Sequence, residues 1–265
     1  MKPADSRPVP AATLVLVRDG PGGLQTLMIV RHQEVAFAQG AAVFPGGKVA
    51  PSDSSPDLQA HLPVALACSK EEAALRVAAV RETFEESGLL LARSKGHLLD
   101  GNALALTRER WQACVRESTE GFLAMVRGEG LELAVDLLHP FAHWVTPEGA
   151  PKRFDTHFFI AKAPPGQMAA HDGREAVESF WVSPHQAMRD CEDGRRATMF
   201  PTLCNLALLG PSTSAVAALA AAGAREVRRI QPTLTVRADG RRIPVLPHGC
   251  GYPPLSSALM DRVAR

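Results

Sequence analysis

Apolar and β-branched residues first concentrate in two short runs near the start of the chain, Thr13–Arg18 and Gln25–Arg31. Between them, residues 19–23 read Asp-Gly-Pro-Gly-Gly, a cluster typical of a tight turn, so the two runs predict a β-hairpin. A third apolar run, Ala41–Phe44, leads into a Pro-Gly-Gly turn at residues 45–47. Because glycine has no Cβ atom, the backbone can approach a ligand closely at this turn.

The strongest helix signal begins at Ser69. Ser69 followed by Glu72 has the form of a capping box, the residues after it are rich in alanine, and Gly88 is a typical C-terminal stop. The pattern therefore predicts one helix that begins near Ser69 and ends near Gly88.

Later segments alternate between helical and strand patterns. Helices are predicted at Thr107–Val126 with a break near Ser118–Gly121, and at His185–Cys191, Phe200–Leu209 and Ser214–Ala222; strands are predicted at Phe141–Val145 and Asp155–Lys162, and a hairpin at Glu226–Val236 and Arg241–Val245. This alternation predicts an α/β layered fold. No long linker requires a second domain, although a weak boundary falls near Gly210.

Composition excludes several classes of function. The 29 basic and 28 acidic residues leave a formal net charge of +1, so no global charge draws the chain to nucleic acid or to an anionic membrane. The five cysteines include no CxxC pair, which favours reduced thiols in a cytoplasmic protein. We also expect no membrane span and no signal peptide, because the chain starts with a polar, proline-rich segment and no apolar stretch approaches 18 residues in length.

Three glutamates of the predicted helix share one side of it. Glu85 and Glu86 follow Glu82 by three and four positions, so all three carboxylates should project together, away from an apolar face that includes Val77 and Phe84. Crowded carboxylates repel one another, and a hard cation such as Mg²⁺ or Mn²⁺ would compensate them. Taken alone, the same pattern also fits a solvent-exposed helix face.

The segment 81–89 decides between these interpretations, because it resembles the Nudix hydrolase signature R-E-U-x-E-E-x-G-U, in which U is bulky and apolar. The matching residues are Arg81, Glu82, Glu85, Glu86, Gly88 and Leu89, with Gly47 as the preceding glycine. The resemblance covers roughly residues 10–210 and implies a Nudix-type α/β/α sandwich with a mixed sheet over residues 1–210. The sequence pattern of residues 211–265 predicts a C-terminal helix and hairpin extension, which we expect to pack on the same domain. The resemblance also implies that the metal ligands are Glu82, Glu85, Glu86 and the carbonyl of Gly46.

The spacing between Gly47 and Arg81 is longer than in the family signature, which places an insertion at about Lys48–Lys70. Its first part, Ala50–Pro56, is turn-rich and predicted to be an exposed loop. We expect the insertion to lie beside the substrate entrance and to affect selectivity more than chemistry. The first glutamate of the signature cannot be placed, because Ala73 stands eight residues before Arg81 and Glu71 and Glu72 are only nearby.

The long insertion is similar to that of the peroxisomal coenzyme A diphosphatase branch of the family. The stretches 144–147, 153–159 and 180–184 have the general look of that branch. A coenzyme A motif is matched at Arg31, Gly40 and residues 44–47, whereas Ala36 stands where the motif has an arginine. Arg31 and Arg153 are the candidate substrate-binding cations, because arginine binds phosphate groups bidentately. A surface salt bridge is the alternative for each.

The sequence thus predicts a Mg²⁺- or Mn²⁺-dependent hydrolase of a nucleoside diphosphate linked to another moiety. Coenzyme A or acyl-coenzyme A is the expected substrate; ADP-ribose, dinucleotides and capped RNA stay open, as do a non-catalytic nucleotide-binding regulator and an α/β interaction protein. Glu82 is the expected base or water-orienting group, assisted by Arg81, and Glu175 and Glu178 are the alternative acid/base residues. No specific nucleic-acid partner is expected, and a homodimer stays open.

Overall fold

The computed structural model describes residues 7–32, 40–170 and 176–263. The strands are β1 Val9–Gly20, β2 Gly23–Arg31, β3 Ala41–Val43, β4 Gly46–Lys48, β5 Ala92–Ser94, β6 His97–Leu98, β7 Glu132–Leu133, β8 His139–Val145, β9 Phe154–Lys162, β10 Ala176–Val182, β11 Ala197–Thr198, β12 Arg229–Ile230, β13 Thr233–Val236 and β14 Arg242–Val245. The helices are α1 Pro56–Gln59, α2 Lys70–Ser87, α3 Gly101–Glu117, α4 Thr119–Gly128, α5 Pro184–Glu192, α6 Phe200–Leu209, α7 Ala215–Gly223 and α8 Ser257–Val263, with short 3₁₀ helices at Pro51–Ser54 and Val135–Leu137.

A mixed β-sheet organises the chain around β1. This strand pairs antiparallel with β2 and β4 and parallel with β9. The order across the sheet is β11-β3-β2-β1-β9-β8-β12. Strand β10 pairs antiparallel with Thr26–Arg31 of β2. The predicted N-terminal hairpin is therefore confirmed.

Each face of the sheet carries its own apolar core. Alternate residues of β1, such as Leu14 and Leu16, pack under α2 and α4. Their neighbours Val15 and Val17 pack on the other face with residues of α5, α6 and α7. Helices thus cover both faces of a mixed sheet, which confirms the predicted α/β/α arrangement.

Helix α2 carries the predicted chemistry and has the predicted ends. The hydroxyl of Ser69 accepts a hydrogen bond from the backbone of Glu72, and Gly88 closes the helix in the left-handed conformation with φ of 69°. The position of the helix differs from the expectation, since residues on every side of it are buried, including Arg81, Glu82 and Glu86. The predicted outward projection of the carboxylates is therefore wrong. The sheet, the insertion and α4 enclose the helix, so its carboxylates turn toward protein backbone.

The later predictions also hold in outline. The helix predicted at Thr107–Val126 is two helices that meet at Ser118, and the hairpin of β13 and β14 turns at residues 237–241. The sequence patterns did not indicate β10 or the small sheet β6-β5-β7. Strands of two or three residues, such as β5 and β7, are too short to show a periodic pattern.

The residues that follow Gly210 pack against the second core. Tyr252 links them to the sheet: its hydroxyl accepts a hydrogen bond from Trp144 Nε1 at 2.9 Å and donates one to Asn205 Oδ1 at 3.1 Å. In the part of the chain that the structure describes, no helix is both long and apolar enough to cross a membrane.

Candidate metal and catalytic site

The Gly46–Gly47 turn is shaped to receive the glutamates of α2. A Cβ atom on Gly47 would lie 2.5 Å from the carboxyl carbon of Glu82, and one on Gly46 would lie 2.5 Å from the carbonyl oxygen of Ala12. Any side chain would therefore displace either the carboxylate or the neighbouring strand. At this turn the backbone closely approaches the chain's own glutamate; its approach to a ligand stays a prediction.

Glu86 is fixed at the same turn. The backbone N–H of Gly46 donates to Glu86 Oε2 at 2.8 Å, and Arg31 Nη1 lies 3.7 Å from Glu86 Oε1. Glu86 is only 1% exposed. The end of β2, the turn before β4 and the last part of α2 therefore meet at one carboxylate, and Arg31 lies beside the predicted metal ligands.

Arg81 organises the other two glutamates. Its Nη1 lies 2.9 Å from Glu82 Oε1 and 2.9 Å from Glu85 Oε2. Burial lowers the pKa of Arg81, but the surrounding carboxylates, Asp53 first, raise it above its ordinary value overall. Arg81 thus stays charged and holds both carboxylates in place.

Asp53 is a site residue that the sequence analysis missed. Its carboxylate is fully buried and binds Arg81 through two contacts, to Nε at 2.8 Å and to Nη2 at 3.0 Å. It also accepts a hydrogen bond from the backbone of Ala50 at 2.7 Å, and the carbonyl of Lys48 completes the Arg81 contacts at 2.9 Å. No local pattern indicated this partner, because Asp53 meets Arg81 only through the folding of the insertion against α2.

The insertion is therefore built into the site. Asp53 is buried in the 3₁₀ helix Pro51–Ser54, so the prediction that Ala50–Pro56 is an exposed loop is wrong for that helix and for Asp53, although Pro51, Ser54 and Pro56 are exposed. Further along, Leu58 is 1% exposed within the first core, and Leu133 donates its N–H to the carbonyl of His61. Because part of the insertion supports Arg81 and the core, it cannot act on selectivity alone.

Glu85 is the carboxylate best placed to accept a cation. Its Oε1 atom is buried and has no hydrogen-bond partner among the described residues. Burial raises the pKa of Glu85 to about 8, with a further increase from Glu82 and an opposing effect of Arg81. A divalent cation would supply both the missing contact and the missing charge, so the residues present fit the metal that the signature implies.

The raised pKa of Glu85 predicts a pH-dependent response to Mg²⁺. The pKa is about 8 in the fold against an ordinary 4.5, so the stability that this group contributes is present below about pH 4.5 and is lost as the pH rises through about 8. A cation relieves that loss. We expect the rise in Tm on adding Mg²⁺ to be small at about pH 6 and to grow as the pH passes about 8. An equal rise at both pH values would contradict the assignment of Glu85, and Glu85→Gln should abolish the pH dependence.

Arg153, the second predicted substrate-binding arginine, lies away from the glutamates. Arg153 precedes β9 and donates from Nε to the carbonyl of Thr146 at 3.2 Å. Its neighbour Phe154 pairs with Val9 of β1, whereas Gly46 pairs with Thr13 of the same strand. Val9 and Thr13 are four residues apart, which is about 13 Å at the usual rise per residue. The structure therefore does not bring Arg153 to the site, because it is tied to the β8–β9 hairpin.

Of the two alternative acid/base residues, Glu178 and Glu175, only Glu178 lies within the described part of the chain. Glu178 forms a two-contact ion pair with Arg196, 2.8 Å at each oxygen, beside Phe180 on the sheet face opposite α2. The structure thus places Glu178 away from Glu82, Glu85 and Glu86 of α2. Glu175 and Ala36 lie outside the described residues.

A small cavity adjoins Glu85. Its lining includes Phe84 and Gly88 from the end of α2, and Arg108 and Arg116 from α3. Burial, followed by the charge of Arg116, lowers the pKa of Arg108. The cavity measures about 20 Å³, which is room for about one water molecule, and Glu85 also lines it, so the two arginines are basic side chains beside that carboxylate. The sequence analysis did not single out either arginine.

Comparison with known proteins supports the Nudix family resemblance that the signature indicates. The family model of the NUDT19 Nudix domain matches residues 65–207. The chicken protein named acyl-coenzyme A diphosphatase NUDT19 is 27% identical over 215 residues, which are 64% of this chain and 56% of the chicken protein. The human protein of the same name is 28% identical over 222 residues, which are 69% of this chain and 56% of that protein.

This chain therefore spans about half the length of the curated relatives it matches. Among solved structures, a NUDIX hydrolase from Alicyclobacillus acidocaldarius superimposes with a TM-score of 0.71 at 28% identity and covers 81% of this chain and 96% of its own. The Nudix fold expected from the signature is thereby confirmed. With more than half of its residues matched by the family model, this chain belongs to the NUDT19 Nudix domain family of the Nudix hydrolases.

Proposed function

We propose that this chain hydrolyses the phosphoanhydride bond of coenzyme A or acyl-coenzyme A to 3′,5′-ADP and 4′-phosphopantetheine or its acyl derivative. The observation that carries the proposal is a cluster of three glutamates of α2: Glu82 and Glu86 lie against the Gly46–Gly47 turn, and Arg81 holds Glu82 and Glu85. The names of the chicken and human relatives support the substrate class.

The proposed cofactor is Mg²⁺ or Mn²⁺. The carboxylates of Glu82, Glu85 and Glu86, with the carbonyl of Gly46, would hold it, because hard cations prefer oxygen ligands. When bound, the cation supplies Lewis acidity and charge neutralisation to the diphosphate.

The chain's own residues would orient the reactants. Arg81 fixes the carboxylates of Glu82 and Glu85, and its contact with Asp53 prevents it from rotating away. We assign Glu82 as the group that orients the attacking water or accepts its proton, because its carboxylate lies against the backbone of Gly47. Glu175 is retained as the alternative base.

Three arginines would provide the contacts to the anionic substrate. Arg31 is 18% exposed at its side chain and lies beside Glu86, so it can reach a diphosphate oxygen bound there. Arg108 and Arg116 line the cavity next to Glu85. Within the described residues these two arginines form no ion pair with an acidic side chain, in contrast to Arg110 of the same helix, which binds Glu129.

A substrate panel with kinetics tests the proposal. We expect a higher kcat/KM for acyl-coenzyme A than for ADP-ribose, diadenosine compounds or capped RNA, because of the names of the matched relatives and the two arginines beside Glu85. The Arg108→Gln variant should raise KM for acyl-coenzyme A by about 10-fold to 100-fold, since a lost charge-assisted contact costs about 1.5–3 kcal/mol.

Arg110→Gln is the matched control for that panel, because Arg110 belongs to the same helix but is paired with Glu129 away from the cavity. It should leave KM unchanged. A clear kinetic preference for ADP-ribose would refute the substrate assignment, and nucleotide binding without turnover of any compound would favour a regulatory module.

The other expectations remain part of the proposal. The partner is a small-molecule nucleotide diphosphate rather than nucleic acid, the location is cytoplasmic, and a homodimer stays open. Residues 1–210 are proposed as the Nudix domain, with 211–265 as its C-terminal extension.

A further inference from the structure

A second cluster of metal-ligating side chains lies on β8 and β9. His143 Nε2 is 2.5 Å from Asp155 Oδ1, and His157 Nε2 is 3.9 Å from the same oxygen. The two imidazole rings stack with their centroids 3.9 Å apart. From the sequence, His157 is expected to be a packed or edge residue of an apolar strand, so the cluster is not predicted.

The strand register explains why these three side chains meet. His143 is opposite His157 in the antiparallel β8–β9 pair, and Asp155 is two residues from His157 on the same strand. Residues two apart on a strand point to the same face. The cluster is therefore set by backbone pairing and needs no unusual loop conformation.

The cluster shares a sheet face with the glutamate site but is separate from it. Ala12 of β1 pairs with Gly47 on one side and with His157 on the other. Two strand spacings thus separate Gly47 from His157, which is about 10 Å. Phe159, two residues after His157, belongs to the core under α2, which identifies the face.

A hydrogen bond between His143 and Asp155 explains only part of this arrangement. It does not account for the second imidazole, whose Nε2 points to the same carboxylate oxygen at a distance too long for a hydrogen bond. A neutral imidazole nitrogen and a carboxylate oxygen that face one another are both groups that bind a divalent cation.

We propose that His143, Asp155 and His157 form a second cation site, which takes a borderline divalent metal of the Zn²⁺ class. Two imidazoles and one carboxylate suit Zn²⁺, Co²⁺ or Ni²⁺, whereas the all-oxygen ligands of the glutamate site suit Mg²⁺ or Mn²⁺. Side-chain exposures of 18% for His143, 33% for Asp155 and 37% for His157 leave the site accessible to an ion from solution.

The ligand atoms already lie close to the required geometry. One atom from each residue lies within 4.8 Å of the others, while ligands about 2.0–2.2 Å from a tetrahedral Zn²⁺ lie somewhat over 3 Å apart. Small side-chain rotations would bring the three onto one ion, with a fourth position open to water. Glu72 is the acidic neighbour of the cluster on α2, since its charge raises the pKa of His157.

The test is a calorimetric Zn²⁺ titration of the full chain in excess Mg²⁺, which occupies the glutamate site, repeated with Co²⁺ to read the visible absorption of the bound ion. We expect one equivalent of Zn²⁺ to bind, and His143→Ala and His157→Ala each to weaken binding at least 10-fold and to remove the Co²⁺ absorption band. Binding is measured without substrate, so the result is independent of the proposed hydrolase activity.

Two control variants make the titration decisive. His97→Ala removes an exposed histidine of β6, and Cys114→Ser removes an exposed thiol, so both should bind Zn²⁺ as the wild type does. No Zn²⁺ uptake in excess Mg²⁺, or equal uptake by the wild type and both histidine variants, would overturn the proposal. Circular dichroism of each variant shows whether a loss of binding reflects a lost fold, and Asp155→Asn then supplies an independent removal of the third ligand.

Discussion

Replacing Glu85 by glutamine is expected to lower kcat/KM for acyl-coenzyme A at least about 100-fold, because loss even of a group that only supports a metal ligand commonly costs 10-fold to 100-fold. The fold should survive. The amide is nearly isosteric, its oxygen can still accept from Arg81 Nη1, and the repulsion between Glu82 and Glu85 disappears. The measurement is steady-state kinetics in Mg²⁺, with circular dichroism and a thermal melt of the same sample.

Glu71 provides the matched control for Glu85. It belongs to the first turn of the same helix and is exposed, remote from the Gly46–Gly47 turn. Glu71→Gln should therefore retain wild-type kcat/KM. Wild-type turnover by Glu85→Gln, or an unfolded Glu85→Gln protein, would show that this carboxylate has been given the wrong role.

Asp53→Asn is expected to destabilise the protein by about 3 kcal/mol, since removing one partner of a buried ion pair typically costs about 3–5 kcal/mol. Asparagine retains one acceptor but turns N–H groups toward the guanidinium of Arg81, which has no acceptor to offer them. Arg81 would then hold Glu82 and Glu85 less firmly. We expect kcat/KM to fall by about 10-fold to 100-fold.

A purely structural role for Asp53 would change stability alone. If Asp53 positions the metal ligands through Arg81, the Mg²⁺ concentration for half-maximal activity must also rise, measured well below the Tm of the variant. Asp57→Asn is the control, because Asp57 is in the same insertion but forms an exposed pair with Arg127 at 3.3 Å. Such pairs contribute about 0–1 kcal/mol. An unchanged Mg²⁺ requirement in Asp53→Asn would confine Asp53 to stability.

The core of the site could be predicted from the sequence because its signals are local. Glu82, Glu85 and Glu86 are neighbours on one helix, so the helical period alone brings them together. The Gly46–Gly47 turn is equally visible, since paired glycines after an apolar run mark close backbone approach. The hairpin of β1 and β2 follows from two apolar, β-branched runs and a strong turn cluster between them.

What the sequence did not show depends on contacts between distant segments. Asp53 meets Arg81 only because the insertion folds back over α2, and a serine- and proline-rich segment gives no sign of burial. The outward direction predicted for the carboxylates failed for the same reason, because helical period gives their common side but not what covers it. Arg153 and Glu178 were chosen by position along the chain, whereas strand register places them elsewhere.

The same distinction applies to the second cluster. His143 and His157 are 14 residues apart in sequence and become neighbours only through the antiparallel pairing of β8 and β9. A histidine within an apolar strand carries no indication of its cross-strand partner. The sequence shows the residue types of this cluster but not the strand pairing that brings them together.

Mass spectrometry of the products formed from acyl-coenzyme A tests the central claim most directly, because it identifies the bond that breaks. Wild-type protein in Mg²⁺ should release 3′,5′-ADP and the acyl-4′-phosphopantetheine, with the thioester intact. It should release neither product in excess chelator, and the Glu85→Gln variant should form both at least about 100-fold more slowly. Free coenzyme A as the product would mean that the thioester is cleaved, and diphosphate cleavage that persists in excess chelator would mean that the glutamate cluster does not work through a cation. Either result would contradict the proposed function.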